Sequence, residues 1–491
     1  MKNLHYLYLL IISIYITTLC SDTSPLFHFN PSPDPSIFFI SGQAFREGLV
    51  PYVEFADTKG LLLIYIYSLS TYISNTSFAG IYLIQCFLLF VTLAFAQKTA
   101  KIYVSENGSF VAALSLCVFL FNSYPYQRGG GAEELLWPFM SALVYCLARH
   151  FSGKDDLFSK WLYLSIGITA GASFMIKYSV TLPIIILFIA ILAYEWKRVP
   201  LKKVLQSALW ALCGASIVIL PCIIHLWSMG ALQEFADEYI LTSARYGTTG
   251  QQREWYVHLL RPMPVRSLSD LLMWIALIWG VKSYGFKSII HTTPLMFTIL
   301  LYLLYKGETI SYYNHYYNSI NSPLMIACCI FFVSKAEEKK ELRKNKVLCI
   351  SAIILIFMTA GTQFHLFGAV EKGPLVWRES AHTPLYETLS TRQNKKVLYL
   401  GWLDRGFGIP SNWRPCGRYW FLQNSPSDSM RAEQMEYIRQ GKPDIIHTYS
   451  KEFDDFFQKY GYSLFYTYKG NYFYERNKPI NIPTDNKPAL N

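Results

Sequence analysis

Glu54, Asp57 and Lys59 fall within six residues and stand directly before an uncharged run that begins at Gly60 and ends at Gln97. Charges abutting apolar sequence are costly unless they pair or meet a ligand. Two carboxylates can hold a divalent metal or take a proton, and a lysine neutralises phosphate oxygen, so the set suits a phosphorylated substrate. A self-satisfied acid–lysine cluster at a membrane interface is the plainer reading. Asp34 lies upstream between Pro33 and Pro35, where a carboxylate caps a helix for purely local reasons. A second polar stretch carries Arg128, three glycines at 129–131 and the pair Glu133–Glu134. Glycine there permits positive φ or close backbone approach, and two acids at a helix start are favoured by its dipole. Lys177 stands alone between two apolar runs, an expensive place for a charge. A late stretch, KGETISYYNHYY, adds Lys306, Glu308, His315 and Tyr316. Acids from two loops and bases from three therefore point to one face and to a charged or phosphate-bearing substrate.

The elements that must position these groups are membrane helices. Of 491 residues 52% are hydrophobic and 16% charged, well below the roughly 25% charged of soluble domains. A single soluble domain and disorder are both excluded. Uncharged blocks such as 178–194 and 204–233 are read as membrane spans. Residues 4–20 lack a small-x-small cleavage site and are read as a retained first helix. Further spans are expected near 78–97, 109–126, 135–148, 161–176, 178–194, 204–229, 267–281, 288–305, 317–334 and 347–369, about eleven in all. Residues 60–74 are the ambiguous case. Charge arbitrates: with the N-terminus inside, the inner segments hold 18 Lys and Arg in 53 residues, against 9 in a longer set of outer loops, the bias of the positive-inside rule. A twelfth span at 60–74 would put loop 21–59 on the opposite face from 127–134 and 306–316. The formal charge of +11 thus reflects loop placement, and no nucleic-acid partner is expected.

Two domains follow: a helical membrane domain over 1–370 and a soluble outer domain over 371–491. The first outer loop, 21–59, is expected to carry an amphipathic helix over 35–47 lying along the membrane surface and ending at Gly48. In the tail, KKVLYLGW and PDIIHTYS read as strands and SMRAEQMEYIRQG and KEFDDFFQKYG as helices. YSLFYTYKGNYFYER reads as a hairpin turning at Lys469–Gly470–Asn471, giving a small α/β fold. None of the ten cysteines shows zinc-type spacing, and Cys416 is the one in the polar tail, so no disulfide can staple that domain.

The order of these features resembles the C-type glycosyltransferases, specifically the bacterial branch similar to glycosyltransferase family 39 and the lipid A aminoarabinose transferases. The resemblance rests mainly on PSPDPSIFFISGQAFREGLVPYVEFADTKGLLL, with GASFMIKYSV and NHYYN as weaker support. It covers roughly residues 1–370. It implies an integral protein of the bacterial inner membrane that moves a sugar from a polyprenyl-phosphate donor to a lipid, glycan or protein acceptor of the cell envelope at the outer face. The C-terminal domain would then be extracytoplasmic. Asp34 would be the catalytic residue, as general base or as ligand to a metal. Lys59, Lys177 and Arg128 would meet the donor phosphate, and Glu54 or Asp57 a divalent metal or the donor. Glu133, Glu134, His315 and Tyr316 would support them. Thr58 intervenes between acid and lysine, which leaves open whether Glu54 or Asp57 is the metal-side acid. The rival classes are a flippase of lipid-linked glycans and an O-antigen-type ligase. Paired halves and broken helices of transporters are absent from the pattern, and a ligase would centre on a large late loop.

Overall fold

The computed structural model describes residues 2–27, 33–123, 126, 129–152, 160–196, 198–242, 268–284, 293, 294, 296, 318–338, 383–401, 406–422, 427–468 and 470–477. Helices fall where the apolar blocks predict them: α1 Lys2–Cys20, α2 Pro33–Arg46, α3 Leu61–Thr71, α4 Ala79–Ala100, α5 Glu106–Asn122, α6 Trp137–Phe151, α7 Lys160–Ile176, α8 Thr181–Trp196 and α9 Leu201–Ser228. A short helix α10, Leu232–Phe235, runs into a π turn over Ala236–Leu241. Two later helices are α11 Leu268–Tyr284 and α12 Asn318–Glu338. The span expected at 347–369 lies outside the described residues, as does all of 288–305 except Thr293, Pro294 and Met296.

Among the described residues, α4 and α9 are long and apolar enough to cross a membrane by length and composition. Helix α3 has 11 residues, about 16 Å of helix, well short of the ~30 Å hydrocarbon core. The outer faces are as apolar as the core. On α9, Leu205, Leu209, Leu212, Ile217, Leu220, Ile224 and Trp227 are exposed, a continuous stripe that lipid covers and water would not tolerate.

Small residues set the helix spacing that fixes Lys177. Gly167 and Gly171 of α7 face Ala211, Gly214 and Ala215 of α9. A Cβ on Gly167 would stand 1.9 Å from the Ala211 carbonyl oxygen, and one on Gly214 2.3 Å from that of Leu164. Such small-xxx-small seams let backbones touch where hydrophobic burial gives no drive.

Helix α2 is covered by protein on both sides, and every residue from Pro35 to Ala44 is buried. One side meets α3, where a Cβ on Gly42 would stand 2.6 Å from the Ser68 nitrogen. The other meets the C-terminal domain, with Gln43 donating to the Asn412 side chain and Arg414 pairing with Glu47. Gly48, at φ +94°, closes the helix as a left-handed cap: its N–H meets the Phe45 carbonyl at 3.0 Å, and Leu49 N–H the Ala44 carbonyl at 3.1 Å.

The tail forms the expected small α/β unit. Helix α13 Thr383–Ser390 precedes β1 Lys396–Leu400, β2 Arg414–Pro415, α14 Asp428–Arg439, β3 Ile445–Thr448, α15 Asp454–Lys459, β4 Tyr462–Tyr468 and β5 Asn471–Arg476. The sheet order is β2-β1-β3-β5-β4. Strands β1, β2 and β3 are parallel, and β5 runs antiparallel to both β3 and β4. Its core is Val397, Leu398, Ile445, Ile446, Trp413, Trp420 and Phe473. All nine described cysteines, Cys416 included, are free thiols.

Candidate active site

Helix α3 carries Tyr67, and the charges gather around it. Its hydroxyl donates to the Gly130 carbonyl, and Asp34, Glu133 and Glu134 all act on it electrostatically. The glycine loop reaches that position because Gly129 and Gly130 have φ of +96° and +84°. A Cβ on Gly130 would stand 3.0 Å from Pro35, so the loop rests on the first turn of α2 beside Asp34. Side chains there would be strained as well as crowded.

The acid–lysine turn is placed by two further contacts. Gly60 N–H meets the Ile176 carbonyl at 3.3 Å, and a Cβ on Gly60 would stand 2.2 Å from the Met175 oxygen. This close approach sets Lys59 against the end of α7, next to Lys177. Tyr52 holds the other side, its hydroxyl donating to the Lys59 carbonyl at 2.7 Å. Tyr52 adopts φ 68°, a left-handed conformation that costs a bulky residue about 1–3 kcal/mol and that clusters at functional sites.

Two buried groups at this turn are left without full partners. Asp57 is buried, and its Oδ2 accepts from Ser41 Oγ at 3.4 Å. Its Oδ1 has no hydrogen-bond partner among the described residues. Burial pushes its carboxyl up to about 6, against the Lys59 charge and hydrogen bonds from the Lys59 backbone and Ser41, which pull it down, while Asp34 adds to the rise. Lys59 is 8% exposed. Its Nζ lies 3.3 Å from Thr58 Oγ1 and 5.6 Å from the centre of the Phe38 ring. Among the described residues no carboxylate lies within ion-pair distance of it. A buried ammonium lacking a close counter-ion beside an orphaned carboxylate oxygen is an arrangement that a ligand completes.

The neighbouring acids are differently placed. Glu133 forms a buried ion pair with Lys177. Glu134 accepts from Gln85 Nε2 at 2.7 Å and from Gly131 N–H at 3.3 Å. Burial pushes Glu134 up to about 7, with the Gln85 and Gly131 hydrogen bonds opposing it and Glu133 adding to it. The ring thus runs Lys59, Asp57, Asp34, Glu134, Glu133, Lys177, and closes where Gly60 touches α7. Asp34, on the first turn of α2, is only partly buried, so a substrate can reach it.

Lys177 owes its exit from the helix to an intruding hydroxyl. In a continuous helix Tyr178 N–H would bond the Phe174 carbonyl. Instead Tyr239 Oη accepts from Tyr178 N–H at 3.0 Å and donates to the Phe174 carbonyl. That insertion breaks the ladder and frees Lys177 to take φ −157°, ψ 108°, with its side chain on Glu133.

The chain has the C-type glycosyltransferase fold. Its backbone superposes on ArnT from Cupriavidus metallidurans bound to undecaprenyl phosphate with a TM-score of 0.68, at 11% identity, over 96% of this chain and 98% of that one. The apo form of the same protein gives 0.60 at 9% identity, over 96% and 97%. The Archaeoglobus fulgidus oligosaccharyltransferase tethered to an acceptor peptide is more distant, with a TM-score of 0.49 at 11% identity over 97% of this chain and 75% of that one. The family model for dolichyl-phosphate-mannose-protein mannosyltransferases matches residues 58–227. That stretch includes Lys59, Glu133, Glu134 and Lys177 and stops short of Asp34 and Asp57. No curated protein matches the sequence.

Within this C-type fold the expected site residues divide. Asp34, Asp57, Lys59, Glu133, Glu134 and Lys177 come together. Glu54 does not: it is exposed and its carboxylate accepts from Val50 N–H at 2.7 Å, closing its own turn. Arg128, Lys306, Glu308, His315 and Tyr316 lie outside the described residues. No group of three metal-ligating side chains occurs among the described residues. The orphaned Asp57 Oδ1 beside Asp34 nonetheless fits a hard divalent ion of the magnesium type, which takes one or two carboxylates and completes its shell with substrate phosphate and water. Tyr52, Tyr67 and Tyr239 escaped the sequence reading, since a tyrosine in an apolar run looks like any core or interface aromatic. The positive φ at Tyr52 and the ladder break at Tyr239 are visible only in coordinates.

Proposed function

We propose that the chain is a membrane glycosyltransferase that moves a sugar from a polyprenyl-phosphate donor to an acceptor hydroxyl at the outer face of the bacterial inner membrane. The observation that carries this reading is the buried Lys59 ammonium without a close counter-ion, beside Asp57 and within the same ring as the accessible Asp34. A phosphodiester supplies the missing anion. The donor's prenyl tail stays among the apolar outer faces while its phosphate meets Lys59, and Lys177, braced by Glu133, adds positive charge nearby. The acceptor oxygen attacks the anomeric carbon as Asp34 takes its proton. The bond from that carbon to the phosphate oxygen breaks, and polyprenyl phosphate leaves with the electron pair. Fixed cations stabilise the charge that grows on the leaving group, the kind of preorganised electrostatics that often dominates catalysis. A divalent ion held by Asp57 and Asp34 would add charge neutralisation at the same phosphate.

The acceptor is a lipid, a glycan or a protein of the cell envelope, and the extracytoplasmic C-terminal domain beside the site is positioned to meet it. Mass spectrometry of envelope glycans from cells with and without this protein tests the reading. A defined sugar missing from one acceptor supports it and names both; an unchanged set of glycans contradicts it. A lipid-linked precursor trapped on the inner leaflet would instead mark a flippase.

A further inference from the structure

Arg418 of the C-terminal domain reaches two parts of the membrane site. Its carbonyl accepts from Ala56 N–H at 2.8 Å, directly before Asp57. Its guanidinium reaches the other way, with Nη2 donating to Glu238 Oε1 at 2.8 Å. Tyr419 Oη donates to the same oxygen at 2.9 Å. Glu238 is buried and lies in the π turn Ala236–Leu241, an irregularity that is rare and recurs at functional sites. The next residue in that turn is Tyr239, whose hydroxyl stands in the broken ladder of α7. The preceding helix α10 contributes Phe235, which packs edge-on against Tyr52 at 5.2 Å between ring centres. Tyr52 in turn holds the Lys59 carbonyl. One arginine therefore grips the Asp57–Lys59 turn through its backbone and, through Glu238, the segment that sets Lys177.

We propose that Arg418 is a positioning residue that couples the seating of the C-terminal domain to the placement of Lys59 and Lys177. The proposal builds on the transferase reading, since it assigns those lysines to donor phosphate. A buried carboxylate with a charged partner on another domain is a two-way latch. With Arg418 in place, Glu238 is neutralised and the π turn can hold Tyr239 inside α7. Without it, an unpaired buried charge drives the turn to rearrange toward water. Tyr239 then withdraws, Tyr178 N–H bonds Phe174 directly, and Lys177 is drawn back into helical geometry away from Glu133.

The test uses the full chain in nanodiscs, in wild type, Arg418→Ala, Arg418→Gln, Tyr239→Phe and the reversal Arg418→Glu with Glu238→Arg. Hydrogen exchange is followed in peptides spanning 52–60, 174–180 and 428–448, together with steady-state release of polyprenyl phosphate. Arg418→Ala is expected to raise exchange at least tenfold in 52–60 and to alter it in 174–180, while 428–448 keeps wild-type protection and shows the domain folded. Its kcat falls at least tenfold with acceptor KM unchanged, and the double reversal restores both readouts. Tyr239→Phe reproduces the 174–180 change alone. If Arg418→Ala misfolds, the milder Arg418→Gln, which also leaves the Glu238 charge without a cation, answers the same question. Wild-type exchange in 174–180 for both Arg418→Ala and Arg418→Gln overturns the latch. If exchange responds as expected and wild-type protein releases no lipid phosphate, the latch stands and the transferase reading falls.

Discussion

Two buried charge clusters sit at opposite ends of the same helices, and they are built in opposite ways. At one end His150, Glu195 and Tyr163 form a set built around one fully partnered carboxylate. Glu195 is 1% exposed, its Oε1 meets His150 Nε2 at 2.9 Å and its Oε2 accepts from the Tyr163 hydroxyl. Both carboxylate oxygens are satisfied by side chains from α6 and α7, so the set ties three helices together; the buried atom it leaves over is His150 Nδ1, a ring nitrogen rather than a charged oxygen. At the other end Lys59 lacks a close counter-ion and Asp57 keeps an orphaned oxygen. Burial is common to both clusters, and the pairing of the carboxylate separates them. A carboxylate partnered at both oxygens is costly to break; an ammonium and a carboxylate oxygen left unpartnered cost stability as they stand and are held in place by their surroundings.

The contrast predicts which substitutions harm activity and which harm folding. The largest effect is expected at Asp34. Asp34→Ala should lower kcat about 10²–10⁴-fold, the range for losing a positioned base, with the melting midpoint unmoved. A midpoint that falls in step with activity would make Asp34 a mere helix cap. The opposite pattern is expected at the Glu195 cluster. Glu195→Ala removes the carboxylate that His150 and Tyr163 share and should cost about 3–5 kcal/mol of stability, while turnover per folded molecule stays near wild type. Denaturation alongside active-site titration would expose a loss of turnover, which would erase the distinction between the clusters.

Asp57 sharpens it further. Its folded pKa of about 6 is raised above the reference 3.8, so the group favours the folded state below its unfolded pKa and loses that contribution as pH rises through 6. Asp57→Asn should therefore stabilise the protein at pH 7–8 by roughly 3 kcal/mol, and the gain should vanish below about pH 4. Activity should fall in the same variant. A stability difference independent of pH between 4 and 8 would show that Asp57 is satisfied after all. The smallest effect concerns donor binding. A sugar phosphodiester does not titrate in this range, whereas Asp57 does. Protonating it removes a negative charge from beside Lys59, so in metal-free, chelator-treated buffer donor affinity should rise about threefold to tenfold from pH 7 to pH 5. Asp57→Asn should bind with the tighter affinity at both values. Isothermal titration at the two pH values checks this, and equal slopes in wild type and variant would refute it.

Much of this was legible in the primary structure where the cause is local. Apolar blocks placed the helices, the break at Lys177 was visible between two uncharged runs, and the tail's alternating strands and glycine-ended helices appeared as read. Charges next to apolar sequence marked the ring because desolvation is costly wherever the chain folds. The burial of helix α2 is less legible: its apolar pattern shows one packed face, and the seating of Asn412 and Arg414 from far along the chain covers the other. Strand β2, two residues long, is defined by its partner β1 and carries no pattern of its own. Arg418 and Glu238 are 180 residues apart, and nothing in the spacing of either predicts the other.

The open cluster's task is to handle a lipid-linked phosphate, and the direct measurement is release of polyprenyl phosphate from polyprenyl-phosphate-linked sugars by the purified protein, given envelope extract as acceptor, compared between wild type and Asp34→Asn. Release in step with acceptor glycosylation by wild type, and its loss in Asp34→Asn at unchanged donor binding, is the predicted result. No release from any such donor by wild type, or equal release by the variant, would contradict it.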